Sequence, residues 1–383
     1  MLQKRFFIFG LVCLAFVEIA KVYLIMPLPG SQRLDTLDIA YCLHEGRWIL
    51  RGVFGIMVLV GIRTVFHDSK WWALAGIAAL IGVMYLSNFE MAAEKMFLQP
   101  GSLIKVDRIR NKVNEDKLVL GVAINGQASA YPIQFIGYHH QVRDALGGEP
   151  ILVTYCTVCR SGRVYSAKVY DREETFRLVG MDHFNAMLED ATTQSWWRQA
   201  TGEAVAGPLE GSRLEEFPAT QTTLREWFRL YPNSTVMQPD STFSADYSDM
   251  DSYDIGLNRG ELTTTDTLSW QPKSWVVGIE LDSYNARAFD WNRLKQERII
   301  HENIGNRAVL LVLGKDGKSF FAFERPDMEA VFSMRNDSLF CGNKSWNLLG
   351  NPFDFAQEGL KKVNAYQEFW HSWSTFHPHT TRY

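Results

Sequence analysis

Two cysteines separated by two residues, Cys156-Thr-Val-Cys159, are where residue type and spacing first permit chemistry. The apolar run from Ile151 to Tyr155 leads into them, and Arg160-Ser-Gly162 leads on to Val164-Tyr165. This pattern predicts a knuckle between two strands with both sulfurs at one point. Such a turn suits half of a tetrahedral metal site, with sulfur about 2.3 Å from a zinc ion. It suits a redox dithiol equally, since this spacing permits a strained, reducible disulfide. A plain structural disulfide is the third reading. Arg160 and Arg163 beside the pair favour thiolates, which helps metal binding and redox exchange alike.

A metal site needs further ligands, and the chain has no second Cys-x-x-Cys or His pair at zinc-site spacing. His139 and His140, just before the strand that delivers Cys156, and His183, in Gly180-Met-Asp-His183-Phe-Asn-Ala-Met, are the candidates to complete it. Each is also readable as a hydrogen-bonded structural histidine. Two thiolates with one or two imidazoles suit zinc, copper(I) or iron. Asp182 or Asp190 is placed to orient His183. Ser195-Trp196-Trp197-Arg198-Gln199 reads as core packing or a pocket wall, and Cys341 as a small hydrophobe.

The elements that must position these residues occur twice. Leu118-Val-Leu-Gly121 through Ala130-Tyr131 reads as a hairpin, and Trp275-Val-Val-Gly278 through Ala288-Phe289 repeats its rhythm. Each is followed by a helical stretch, a small turn and an apolar strand. Trp227 to Thr235 and Trp373 to Thr381 close the copies alike. Two homologous, β-rich α+β lobes follow from this, at residues 91–238 and 273–383, joined by a polar connection at 239–272. Features found in one copy only are candidates for function. The cysteine pair has no counterpart, since Val312-Leu313-Gly314 stands opposite Thr154-Tyr155-Cys156, and Glu297-Arg298 stands opposite His139-His140.

Residues 1–90 predict a bundle of three transmembrane helices, with spans near Phe6 to Met26, Ile49 to Phe66 and Trp71 to Phe89. The first span alone resembles a signal peptide, and the two that follow argue against cleavage. Lys4, Arg5, Arg63 and Lys70 mark the cytoplasmic side by the positive-inside rule. Arg33, Arg47 and Arg51 in the first outer loop weaken this bias. Three crossings place the globular region on the extracytoplasmic side of the inner (plasma) membrane. Glu18 and Lys21 share one face of the first span and are expected to pair with each other or with Arg51.

With a formal net charge of -4 the chain lacks the basic excess that nucleic-acid binding requires. No Gly-x-Ser-x-Gly, paired-carboxylate or phosphate-loop motif stands out. The open classes are a metal-binding protein, a thiol-disulfide oxidoreductase, and a non-catalytic module that binds a partner or assembles a membrane complex.

Several segments together, from Leu118-Val-Leu-Gly-Val and Ala130-Tyr-Pro132 through Val153-Thr-Tyr-Cys156-Thr-Val-Cys159, Ser195 to Gln199, Gly202 to Pro208 and Trp227 to Pro232, resemble the bacterial family of domain of unknown function 3179. The resemblance runs from about Leu103 to the C-terminus. The family's Thr-Tyr-Cys-Pro-x-Cys-Gly motif is similar to the metal knuckles of rubredoxins and zinc ribbons. This chain has Thr157 in place of Pro and Arg160 in place of Gly, and His139-His140 where His-Glu is usual. The last departure implies a nitrogen-rich site.

Overall fold

The computed structural model describes Met1–Tyr383, and the chain divides into two compact units. The first comprises Met1–Leu98, Thr175–Arg198 and Glu203–Ser212; the second comprises Gln99–Glu174, Gln199–Gly202 and Arg213–Tyr383.

In the first unit, the helical segments Leu2–Tyr23 and Leu37–Glu90 are long and apolar enough to cross a membrane. Three separate helices were expected, and two continuous segments are found. The longer one is broken at Ser69, where φ is -159° and ψ is 91°. Arg51 Nη2 donates to Asn88 Oδ1 at 2.9 Å. In a straight helix, residues so far apart in sequence would be about 55 Å apart, so the chain folds back between them. Glu18 is fully buried and accepts from Arg51 Nε at 2.6 Å, Lys21 Nζ at 2.7 Å and Asn88 Nδ2 at 2.9 Å. The expected pairing of Glu18 is thus made with both cations at once. Phe9, Val12, Phe16, Val53, Ile56 and Leu59 stay exposed on the helices. A four-stranded sheet completes the unit, in the order Ala204–Ala206, Trp196–Arg198, Asn185–Asp190, Phe176–Asp182.

The second unit is β-rich, and one succession of elements runs through it twice. Leu118–Ile124 and Gln127–Pro132 form a hairpin, followed by helix Ile133–His139 and the antiparallel strands Gln141–Leu146, Glu149–Cys156 and Ser161–Ser166. Trp275–Asp282 and Asn285–Asp290 are likewise followed by helix Trp291–Glu297 and by Ile299–Ile304, Arg307–Leu313 and Phe320–Glu324. Each run closes with a strand antiparallel to the first hairpin strand, a seven-residue helix, and a strand parallel to the second. These are Ala219–Thr223, Leu224–Leu230 and Thr235–Met237 in one, and Tyr366–Phe369, Trp370–Phe376 and Thr381–Arg382 in the other.

The packing repeats too. A Cβ on Gly121 would enter the ring of Trp227, and one on Gly278 the ring of Trp373. Both hairpin helices end on a left-handed residue, His140 (φ 59°) and Arg298 (φ 63°). Residues 239–272, expected as a polar connection, carry the helix Ser244–Asp249, and Phe243, Tyr247 and Tyr253 pack into the first core.

Candidate functional site

Cys156 ends its strand opposite Ser161, and Cys159 lies in the turn between the strands, so the expected knuckle is present. Both cysteines are fully buried. Arg160 takes φ 58°, the left-handed region that favours glycine, at the position where the family motif has Gly. Its side chain supplies what offsets that strain. The buried guanidinium donates to Gln367 Oε1 at 3.1 Å, to the Tyr253 carbonyl at 3.1 Å and to the Asp254 carbonyl at 2.7 Å, and lies 3.7 Å from the centre of the Trp275 ring.

The turn's carbonyls are held one after another. Tyr253 Oη donates to Thr157 O at 2.8 Å, Lys273 Nζ to Val158 O at 2.7 Å, and the Phe369 amide to Cys159 O at 2.9 Å. His371 Nε2 lies 3.1 Å from the same Val158 carbonyl and 3.2 Å from Lys273 Nζ. Gln199 bridges the two hairpin strands, accepting from Ser161 Oγ at 2.7 Å and donating to Thr154 Oγ1 at 3.1 Å.

Burial lowers the Lys273 ammonium below its ordinary range, and the charges of Cys159 and Cys156 oppose that shift. Burial, with the Lys273 charge adding to it, holds His371 down to about 4. Tyr155 is pushed up to about 12 by burial.

Each histidine named from sequence makes a polar contact of its own. His139 is buried with Nε2 2.7 Å from Tyr247 Oη. His140 has Nδ1 2.8 Å from the Tyr155 carbonyl, while the Tyr155 amide donates to His140 O. The other copy repeats this contact: Arg298 Nη2 donates to Leu313 O at 3.2 Å and the Leu313 amide to Arg298 O. The His140 position therefore serves the fold in both copies. His183 belongs to the first unit, on the tight turn after strand Phe176–Asp182. Its Nδ1 lies 2.6 Å from Asp182 Oδ1, and that hydrogen bond raises its pKa. Asp190 instead accepts from Trp197 Nε1 at 2.9 Å, and Trp196 and Trp197 are core residues. No three His, Cys, Asp or Glu side chains anywhere in the chain gather as a metal-holding group.

Lys273 and His371 were missed in the sequence, although the repeat carries a signal for them. Counting from the matched glycines and tryptophans, Lys273 stands where the first copy has Asp116, and His371 where it has Arg225. Arg225 and Asp116 form an exposed ion pair at 3.0 Å. In the second copy that surface pair is replaced by an amine and an imidazole beside the other copy's cysteines.

Comparison with curated proteins and with solved structures gives no match. The sequence profile described as protein of unknown function (DUF3179) matches residues 98–380, nearly three quarters of the chain. With the hairpins, the cysteine knuckle and both closing tryptophans inside that match, the chain belongs to the DUF3179 family.

Proposed function

We propose that this protein is anchored in a membrane by three helical crossings and binds a soft metal ion through Cys156 and Cys159, in the first of two homologous lobes held on the extracytoplasmic side. The observation that carries the metal reading is the knuckle itself: two buried cysteines on one tight turn, with Arg160 held at φ 58°. A left-handed residue after the second cysteine is what turns main-chain amides toward sulfur in metal knuckles.

The reversal at Ser69 and the exposed apolar helix faces support three crossings. Lys4 pairs with Asp68, which brings Lys4 and Arg5 to the same end of the bundle as Arg63 and Lys70. At the other end the Met181 amide donates to Ile25 O at 2.7 Å, where the sheet of the first unit meets the helices. By the positive-inside rule the basic end is cytoplasmic and the sheet end is not. The repeated topology and the matched Gly121–Trp227 and Gly278–Trp373 contacts support two homologous lobes.

A second reading, a dithiol that cycles with a disulfide, is favoured by the Lys273 charge beside both sulfurs, which stabilises thiolate. Thiol titration of the purified full-length protein in detergent separates the two. A metal-held pair becomes reactive only when denaturation is combined with a chelator. A free dithiol reacts on denaturation alone and a disulfide only after reduction, and either result refutes the metal reading.

A further inference from the structure

A cavity of about 320 Å³ lies wholly within the first unit, where the helix ends meet the sheet. Lys21, Arg47, Arg177 and Glu94 bring charge to its wall, and Val22, Ile25 and Met91 bring apolar surface. Sites for small molecules have this size and this mixture. The depth of the cavity says what surrounds it. Lys4, at the basic end of the bundle, and Lys21 lie on the same helix, Leu2–Tyr23, seventeen residues apart. That is about 26 Å of helix, against a hydrocarbon core about 30 Å thick. With Lys4 in one interface, the cavity lies at the level of the headgroups in the other.

The charges around the cavity do not balance. Glu18 is shared by Lys21 at 2.7 Å and Arg51 at 2.6 Å. Arg177 meets Glu189 at 2.5 Å and Glu94 at 3.4 Å. Half-buried Arg47 donates to the His44 carbonyl, and Glu45, which it approaches to 4.0 Å, is exposed, so that pair offsets little. Four cations therefore face three carboxylates, and a proton on His44, 3.1 Å from Glu189, would widen the excess. Lys21 also has a donor to spare. Of the three on its ammonium, Glu18 and Asn88, at 2.5 Å, occupy two.

Resting on the reading of the helices as a membrane anchor and not on the metal, we propose that this cavity binds the phosphate of an anionic phospholipid in the leaflet at the sheet end of the bundle. Lys21 and Arg47 are the binding cations, since Arg177 is already held between two carboxylates. A phosphodiester brings the single negative charge that the cavity lacks, at the depth where anionic lipids attract Lys and Arg. A zwitterionic headgroup brings an ammonium with its phosphate and leaves the excess in place. Phe16 and Ile19, exposed within two turns of Lys21, offer apolar surface to the acyl chains.

The test uses the full-length protein, stripped of lipid in detergent and titrated with phosphatidylglycerol, phosphatidylethanolamine or inorganic phosphate while native mass spectrometry counts bound lipid. One phosphatidylglycerol per chain is expected on the wild type, bound about fivefold more tightly than phosphatidylethanolamine. Arg47→Gln is expected to lose that preference and Arg47→Lys to keep it, while Arg63→Gln, at the basic end, leaves it unchanged. Equal binding of the two lipids by the wild type, or an unchanged preference in Arg47→Gln, overturns the proposal. Loss of the preference in Arg63→Gln would make the attraction general rather than local, and displacement of the lipid by equimolar inorganic phosphate would make the cavity a site for free anions; either result also overturns it. Alkaline carbonate extraction of cell membranes reads the anchor separately. Release of the protein refutes the anchor itself, whereas retention without a lipid preference refutes this site alone.

Discussion

Gln221 Nε2 donates to Gln367 Oε1 at 2.7 Å, and the two glutamines occupy equivalent positions in the closing strands of the two copies. The same Gln367 oxygen accepts from Arg160 Nε at 3.1 Å, so one amide joins Gln221 to the residue that shapes the knuckle. Gln367→Leu strands a buried guanidinium nitrogen and the Gln221 amide together. It is expected to destabilise the protein by about 2 to 3 kcal/mol, measured by denaturant unfolding. Gln221→Leu, which leaves Arg160 its acceptor, is expected to cost less, and the reverse ranking would count against this arrangement.

The Gly121–Trp227 and Gly278–Trp373 contacts make a paired prediction. Any side chain at either glycine meets an indole ring that is itself buried. Gly121→Ala and Gly278→Ala are each expected to lower stability by about 1 to 3 kcal/mol, as overpacking does. If one substitution proved harmless in thermal unfolding, the packing of the two copies would not be equivalent.

Acid is expected to destabilise the second unit. Burial holds His140 down to about 4 from an ordinary 6.5, so the folded state prefers the neutral ring. As pH falls below 6.5 the unfolded chain takes up the proton first. The stabilisation is complete above pH 6.5 and is lost progressively between 6.5 and 4, to a total of about 3 kcal/mol. His371 is depressed to the same level and adds to the same window. Asn tolerates the left-handed conformation at position 140 and does not titrate. Unfolding of His140→Asn is therefore expected to depend less on pH than that of the wild type between pH 7 and 4.5, and equal slopes would contradict this account of His140.

The membrane reading predicts a labelling pattern. Tyr170 is exposed on the globular part, and Ser69 lies at the reversal beside the basic end of the helices. In intact spheroplasts an impermeant maleimide is expected to label Tyr170→Cys and to spare Ser69→Cys, in a background without Cys13 and Cys42. Labelling of Ser69→Cys alone would invert the topology.

Local pattern carried much of this protein in the sequence. The apolar lengths announced the helices, and the twice-written hairpin announced the repeated elements of the second unit. The knuckle was legible because an apolar strand, two cysteines and a turn are contiguous. The break at Ser69 falls in the short link read between the spans Ile49 to Phe66 and Trp71 to Phe89, although helical hydrogen bonding continues on both sides of it. Residues 239–272 read as polar because their buried anchors, Phe243, Tyr247 and Tyr253, are sparse among Ser, Asp and Thr. The surroundings of the cysteines were illegible for a different reason. Lys273 and His371 lie more than a hundred residues away and arrive only when distant segments of the second unit pack together. The second run of elements lacks the cysteine pair, and it carries Lys273 and His371 where the first has Asp116 and Arg225.

The central claim is that Cys156 and Cys159 hold a metal ion, and metal content tests it most directly. Full-length wild-type protein and Cys156→Ser/Cys159→Ser, purified side by side in detergent without added metal or chelator, are compared by elemental analysis. About one soft metal ion per wild-type chain, absent from a folded double variant, is the result expected. Equal metal content in the two proteins, or none in either, would contradict it.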